Sequence, residues 1–409
     1  MLPVEVARGR RERLLVVGGG MAALKLIEEL IGQCPGRYEI TVATKEARPP
    51  YNRVLLSSLL AGEVQQTDTE LRPAAWYGDN GITLLTALQV SALRPARQDV
   101  VLSNGKRLAY DRLVLATGSN AIRPPVPGHA LPGVTTFRDP DDVEVLQQAK
   151  AGTRAVVIGG GLLGIEAACG LAKRGVRVTL LHVMPRLMER QLDDRSAQLL
   201  KMAVENKGVE VALEAHTAAI EGDGKAERVV LKDGRVLSAE LVVMAVGIRA
   251  ETALAENGGI EIGRGIKVDD KLETNWPSIY AIGECAEHRG TCYGIVEPLY
   301  EQAKLLAQNL AGKPSRYEGS TLATSLKVSG IPVFSMGDFQ GEDAEEIVLE
   351  DEGTATYRKL IVRDDRLVGV VLFGDTADAF WYRDLISKGL PLSRFRPMLA
   401  FGKAHAEAA

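Results

Sequence analysis

Arg154-Ala155-Val156-Val157-Ile158-Gly159-Gly160-Gly161-Leu162-Leu163-Gly164-Ile165-Glu166 is the stretch on which the fold of this chain turns. Four apolar residues that read as a buried strand run into Gly159-x-Gly161-x-x-Gly164, and a helical pattern follows through Leu163, Ala167, Gly170 and Leu171. That order is what a dinucleotide site needs. The first glycine makes the strand-to-helix turn, the second admits a pyrophosphate close to the backbone, and the third lets helix and strand pack closely. The helix N-terminus adds unpaired N–H groups and a partial positive charge for the phosphates.

A second site of the same type lies near the N-terminus. Arg13-Leu14-Leu15-Val16-Val17 reads as a strand and continues into Gly18-x-Gly20-x-x-Ala23, the variant with a small third residue, then into helical spacing to Leu30. One such motif is weak evidence; two, each between a strand and a helix, are strong. A segment that completes the first site lies well beyond the second, so one dinucleotide fold is expected to be inserted in another.

At 409 residues the chain has room for two or three domains. It is 46% hydrophobic and 25% charged, and its apolar runs all stop short of a membrane span. A net charge of −4 gives no nucleic-acid footprint and no membrane-attracted surface. Met1 to Arg13 is basic but has no apolar core or small-residue cleavage site, so a cytoplasmic location is expected. The four cysteines, Cys34, Cys169, Cys285 and Cys292, are scattered, without C-x-x-C spacing. That supports neither a zinc site nor an iron–sulfur cluster, so no metal ligands are assigned and electron chemistry falls to a bound organic cofactor.

Along the first domain, the strand Glu39 to Ala43 ends near Glu46, placed to hold a ribose hydroxyl or simply to lie in solvent. Pro49-Pro50-Tyr51-Asn52-Arg53 breaks the regular pattern, and Arg53 after that rigid loop is a candidate pyrophosphate or flavin contact or a plain surface Arg. Ile82 to Leu93, with the cofactor candidate Val90 near its middle, and a hairpin around Asn104-Gly105 read as short strands. Another strand ends in Ala116-Thr117-Gly118, and prolines from Pro124 to Pro132 mark a linker.

After a helical segment from Asp139 comes the central motif. The next strand, Val176 to Leu181, ends at His182, where an NAD site usually carries Asp or Glu; His182 is also compatible with an ordinary loop role. Arg186 and Arg190 follow, and an Arg there suits a 2′-phosphate, so NADH and NADPH both stay open. A helix from Ser196 to Asn206 and alternating strands lead to Leu241 to Gly247. Ile279-Tyr280-Ala281-Ile282-Gly283-Glu284 is again a strand ending in glycine and an acid that can accept a ribityl hydroxyl. Pro298 fits the first position of the following helix, whose dipole would stabilise a reduced flavin near N1 and the C2 carbonyl if it faces one. From about Ser320 short strands (Leu326 to Val328, Val333 to Met336, Arg358 to Val362, Arg366 to Phe373) and a helix (Ala377 to Ser387) make an α+β domain.

Together these residues resemble the two-dinucleotide pyridine nucleotide–flavin reductases, the glutathione reductase fold. The marks are Gly18-x-Gly20-x-x-Ala23, Ala116-Thr117-Gly118, Gly159-x-Gly161-x-x-Gly164 with Glu166, and Ile279 to Glu284. The resemblance implies an α/β fold with two Rossmann-like domains, the second inserted in the first, and a C-terminal α+β domain. It gives an FAD domain over residues 1–121 and 250–318, an NAD(P)H domain over 122–249 and an interface domain over 319–409. It also implies FAD and either NADH or NADPH, with the nicotinamide near Leu163, Glu166 and Gly247. Glu166 is expected to shape the nicotinamide pocket or to be a buried structural carboxylate.

Absences narrow the family. No C-x-x-x-x-C pair occurs, and Leu56-Ser57-Ser58 stands where thiol-dependent relatives place a cysteine, so a thiol relay is excluded. Oxygenase-type ferredoxin reductases resemble the chain but tend to carry Lys at Ser58 and Asp at Glu284. The chain is most similar to the FAD-containing part of assimilatory NAD(P)H nitrite reductases, to nitrate reductase electron-transfer subunits and to rubredoxin reductases. That similarity rests on Pro50 to Ser57, on His182 with Leu187-Met188-Glu189-Arg190-Gln191-Leu192-Asp193, on Gly283-Glu284-Cys285, and on Leu326-Lys327-Val328 with Gly374-Asp375-Thr376. Since His182 fits this subgroup, it leans weakly to NADH. Without siroheme and iron–sulfur domains, the chain is expected to pass electrons to a metal-containing acceptor protein, with a homodimer possible through the third domain. The alternatives are a rubredoxin or ferredoxin reductase, an NAD(P)H oxidase, and a redox-sensing binding protein.

Overall fold

The computed structural model describes residues 10–321, 323–326 and 330–408. They form two compact units: 10–53, 67–120 and 248–320 in one, and 54–66, 121–247 and the described residues from 321 onward in the other.

The first unit is built on a five-stranded parallel sheet. Its order is Ile279–Ala281, Arg112–Leu115, Glu12–Val17, Tyr38–Ala43, Thr83–Leu85. The central strand reads as an unbroken apolar run because both of its faces are covered. Leu14 and Val16 join a core with Leu26, Ile27 and Leu30 of the helix Met21–Gln33 and Leu306 and Leu310 of the helix Val296–Leu310. Leu15 and Val17 point the other way, into a core with Val90, Leu93 and Val100 from the antiparallel ribbon Val90–Arg94, Asp99–Leu102, Arg107–Ala109. Four strands of this sheet come from sequence before residues 121–247, which belong to the other unit, and Ile279–Ala281 comes from sequence after them.

One expectation is corrected here. Pro298 is the third residue of its helix, which starts at Val296 with Ile295 as N-cap, not the first. The third position still tolerates proline because none of the first N–H groups of a helix has an intrahelical acceptor.

The second unit holds another parallel sheet, ordered Val209–Ala212, Arg177–Leu181, Arg154–Ile158, Leu241–Met244, Val134–Thr136. Val156, Ile158, Val242 and Met244 pack on an antiparallel three-stranded sheet through Ile220, Val229 and Leu231. Residues 54–66, which follow the proline loop, group with this unit. Leu60 lies against Gly170 of the helix Leu162–Lys173, where an added Cβ would come within 3.0 Å of the leucine side chain. Gln147 donates to the Leu59 carbonyl at 2.8 Å, and Lys173 pairs with Glu63 at 2.7 Å.

The C-terminal part of this unit is an antiparallel sheet, ordered Ala323–Leu326, Val333–Gly337, Arg366–Phe373, Thr356–Arg363, Glu345–Asp351. The helix Ala379–Lys388 packs on it through Tyr382 and Leu385. The strand expected at Leu326 to Val328 is seen as Ala323–Leu326, while Lys327 and Val328 lie outside the described residues. One face of Thr356–Arg363 sends Leu360 and Val362 into the core. On that side the buried Arg358 donates to the Tyr382 hydroxyl and the Ala400 carbonyl, both at 2.9 Å, and pairs with Asp375 and Asp378 at 3.3 Å. On the other side Tyr357 donates to Asp193, the N-cap of the helix Asp194–Glu205, at 2.6 Å. Removing a buried cation strands its carboxylates, so Arg358→Ala is expected to cost about 3 kcal/mol in urea unfolding. A loss near zero would show that the cluster is not structural.

Candidate functional site

Each unit carries one glycine loop at the carboxyl end of its parallel sheet, and the two are built alike. Gly18 has φ +110° and Gly159 φ +122°, backbone that L side chains rarely adopt. A Cβ on Gly18 would sit 2.1 Å from the Ala116 carbonyl oxygen, and one on Gly159 2.2 Å from that of Ala245. Each turn is pinned by its neighbouring strands: Gly18 N–H donates to the Ala43 carbonyl and Gly159 N–H to the Leu181 carbonyl, both at 2.8 Å.

The second glycines behave differently. Gly20 and Gly161 are extended N-cap residues, and a Cβ on either would meet nothing within 4 Å. Both point into open space at a helix start. The third position packs. A Cβ on Gly164 would lie 1.8 Å from the Gly159 oxygen, while in the first unit the Ala23 methyl is buried.

The helix starts supply a test for an anionic ligand. The helices Met21–Gln33 and Leu162–Lys173 have no side-chain cap and no acid in their first turn. By contrast, Pro140–Gln147 and Asp194–Glu205 are capped by Asp139 and Asp193 and carry acids in that turn. The helix Ala379–Lys388 is uncapped and acid-free too, so it is the open approach at Gly20 and Gly161 together with the bare helix start that fits a pyrophosphate.

Around the first loop two strand ends come together. Thr117 donates through Oγ1 to the Glu251 carbonyl at 2.7 Å, and the Gly118 carbonyl accepts from Glu251 N–H at 2.9 Å. Ser119 donates to Glu284 Oε2 at 2.8 Å, which ties the Ala116-Thr117-Gly118 turn to the acid after Gly283. Gly283 has φ +87° and donates its N–H to Gln302 Oε1 at 2.8 Å. Gln302 is fully buried, and sequence reasoning passed over it. Its signal was a polar residue on the buried helical stripe of Leu299, Ala303 and Leu306. Glu46 and Arg53, read separately in the sequence, form an ion pair at 2.5 Å, and Arg53 stacks over Tyr51 at 4.9 Å. Val90 is a buried core residue of the antiparallel ribbon. Cys285 is fully buried with its thiol against the Leu115 carbonyl, and burial pushes that thiol up, away from thiolate chemistry.

At the second loop Leu163 is half-buried, and Gly247, with φ +114°, accepts from Ile122 N–H at 3.0 Å. Glu166, four residues into its helix beyond Leu162, is buried, with Ser57 beside it. Burial pushes its carboxyl up to about 8, with Ser57 pulling the other way, which favours the protonated, neutral acid near pH 7. His182 does not lie idle in a loop. Its Nδ1 accepts from Gly160 N–H at 3.1 Å and its Nε2 meets Glu189 Oε2 at 3.0 Å. Arg186 is engaged by Asp194. Among the described residues no cluster of three His, Cys, Asp or Glu could hold a metal, and no helix is long and apolar enough to cross a membrane.

Residues 12–305 match the family model for pyridine nucleotide-disulphide oxidoreductases, and residues 323–390 match that for the rubredoxin NAD+ reductase C-terminal domain. A nitrite reductase (NAD(P)H) of Bacillus subtilis is 44% identical over 94% of the chain and 48% of that protein. The assimilatory nitrate reductase electron transfer subunit of the same organism is 43% identical over 90% of the chain and 48% of its own length. The chain thus spans about half the length of these curated relatives. A crystal structure of a ferredoxin reductase from Rhodopseudomonas palustris superposes with TM-score 0.88 at 25% identity, covering 97% of this chain and 99% of that one. With two glycine loops of this geometry and a family match over most of its length, the chain belongs to the pyridine nucleotide-disulphide oxidoreductase family, whose members bind FAD and NAD(P)H.

Proposed function

We propose that the chain is an NAD(P)H-dependent flavoprotein reductase that passes electrons to a separate metal-containing acceptor protein in nitrate or nitrite assimilation. The observation that carries this reading is the pair of uncapped helix starts behind Gly20 and Gly161, one for each nucleotide. Similarity to the nitrite reductase and the nitrate reductase electron transfer subunit supports the assignment to nitrogen assimilation. FAD, when bound, accepts a hydride and can give up its electrons one at a time, which joins a two-electron donor to a one-electron acceptor.

The remaining work belongs to the protein. In the FAD domain, proposed to comprise 1–121 and 250–318, the Gly18 turn and the Met21–Gln33 helix hold the pyrophosphate, with Ala116 to Gly118 beside it. Glu46 and Glu284 accept sugar and ribityl hydroxyls, and Arg53 faces the phosphates. The start of the helix bearing Pro298 and Gln302 offers partial positive charge to a reduced flavin. In the NAD(P)H domain, 122–249, Gly159 to Gly164 hold the second pyrophosphate, and Leu163, Glu166 and Gly247 border the nicotinamide. Neutral Glu166 both donates and accepts hydrogen bonds without bringing a buried charge. Residues 319–409 form the proposed interface domain, for the acceptor or a second copy, and the cytoplasm is the proposed location. The rubredoxin reductase match over 323–390 favours a rubredoxin or ferredoxin as the second choice of acceptor.

Anaerobic titration of the purified protein with NADH and then NADPH is expected to bleach the flavin band rapidly with one of them. Reoxidation by air should then be slow. A protein without flavin, or one bleached by neither nucleotide, would overturn the reductase reading. Reoxidation by air as fast as reduction would make the protein an oxidase.

A further inference from the structure

The strand Arg177–Leu181 ends where a nucleotide fold usually places an acid for the adenosine ribose, and this chain has His182 there. The missing carboxylate is nearby. Gly160 of the glycine loop is gripped from both sides: its N–H donates to His182 Nδ1 at 3.1 Å, and its carbonyl accepts from Met188 N–H at 3.0 Å. Because Nδ1 is an acceptor, the imidazole proton sits on Nε2 and is donated to Glu189 Oε2 at 3.0 Å. Gly160, His182, Glu189 and Met188 therefore close a ring. Met188 adopts φ +50° within it, and a Cβ on Gly160 would lie 2.6 Å from both the His182 ring and Leu187.

This ring fixes a carboxylate one imidazole away from the loop backbone. The Glu189 side chain remains 25% exposed, and its other oxygen, Oε1, is 3.8 Å from the outward-facing Arg190. Arg186, the other cation in reach of a 2′-phosphate by sequence, pairs with the exposed Asp194.

We propose that Glu189, positioned by His182 against Gly160, sets the nucleotide preference: its carboxylate accepts a ribose hydroxyl of NADH and repels the 2′-phosphate of NADPH. The inference rests on the reading of the Gly159 loop as the nicotinamide nucleotide site. It assigns the donor that the sequence leaves open.

The test compares wild type, Glu189→Gln, Glu189→Asp and His182→Ala in anaerobic stopped-flow reduction by NADH and NADPH. Competition by ADP and by adenosine 2′,5′-bisphosphate gives a readout of binding alone. Wild type is expected to prefer NADH and ADP. Glu189→Gln should lower the NADH-over-NADPH ratio of kcat/KM by about tenfold or more, mainly through KM, by removing the repulsive charge and freeing Arg190. His182→Ala should move the ratio in the same direction and Glu189→Asp should largely preserve it. Wild-type preference for NADPH, or equal losses with both nucleotides in Glu189→Gln, would overturn this inference alone. Reduction by neither nucleotide in wild type would overturn the reductase reading and this inference with it.

Discussion

Gly161→Ala is expected to leave the fold intact yet weaken nicotinamide nucleotide binding by about tenfold or more, while Gly159→Ala is expected to destabilise the protein and abolish binding. The two glycines stand two residues apart and do opposite things. Gly161 is extended, with φ −83°, and an added Cβ would meet no protein atom within 4 Å. Alanine suits that backbone and lowers the entropy of the unfolded chain, which offsets its poorer capping of the helix, so stability should change by no more than about 1 kcal/mol. The methyl would instead occupy the space in front of the helix start, where a phosphate needs close approach to N–H groups. Loss of one charge-assisted hydrogen bond, about 1.5–3 kcal/mol, accounts for the expected effect. At Gly159 a methyl would lie 2.2 Å from the Ala245 oxygen on backbone at φ +122°, and the turn must open. That should cost about 3 kcal/mol or more. Urea unfolding and nucleotide titration of both variants separate the two effects. An unchanged nucleotide Kd in Gly161→Ala would place the phosphate elsewhere. Gly20→Ala is the matching experiment in the first unit, read as loss of bound FAD at unchanged stability of the FAD-free protein.

Glu166→Gln is expected to make the protein more stable at alkaline pH, by about 4 kcal/mol at pH 8 relative to pH 5. Burial raises this carboxyl from an ordinary value of 4.5 to about 8. The folded state therefore keeps a proton that the unfolded state loses above about 4.5. The unfolded state binds fewer protons across that window, so wild-type stability falls as pH rises, by about 1.4 kcal/mol per unit, and levels off above about 8. Glutamine has nearly the same shape, can keep its place beside Ser57, and does not titrate. Variant and wild type should match near pH 5 and diverge steadily to pH 8 in urea unfolding. Parallel curves would show that Glu166 is ionised in the folded protein. The same titration is expected in kcat/KM for the nucleotide, with the Gln variant flat.

The surroundings of Glu166 show where sequence reading stops. Its position on the helix after Gly164 is legible from spacing, but its lack of a cation is not. Its neighbour Ser57 belongs to residues 54–66, which follow the first unit's proline loop in sequence and group with the second unit in space. His182 is a similar case. As a strand-end residue it read as a ribose contact or a loop residue, and its side chain turned out to join Gly160, 22 residues away, to Glu189, seven residues away. Gln302 was hidden because its partner, the Gly283 N–H, is 19 residues distant and on another element.

What the sequence determined by itself is the pair of nucleotide folds and their nesting. Gly18 and Gly159 need positive φ, Gly20 and Gly161 need an open approach, and Ala23 and Gly164 must be small. Those demands are local, so they are written in a few consecutive residues beside apolar runs of a doubly covered strand. Tertiary structure alone decided how the charged side chains are paired: Glu46 with Arg53, Arg186 with Asp194, Glu284 with Ser119, Glu189 with His182. A hydrogen bond or ion pair depends on which side chains arrive within about 3 Å, and no periodicity in the chain encodes that distance.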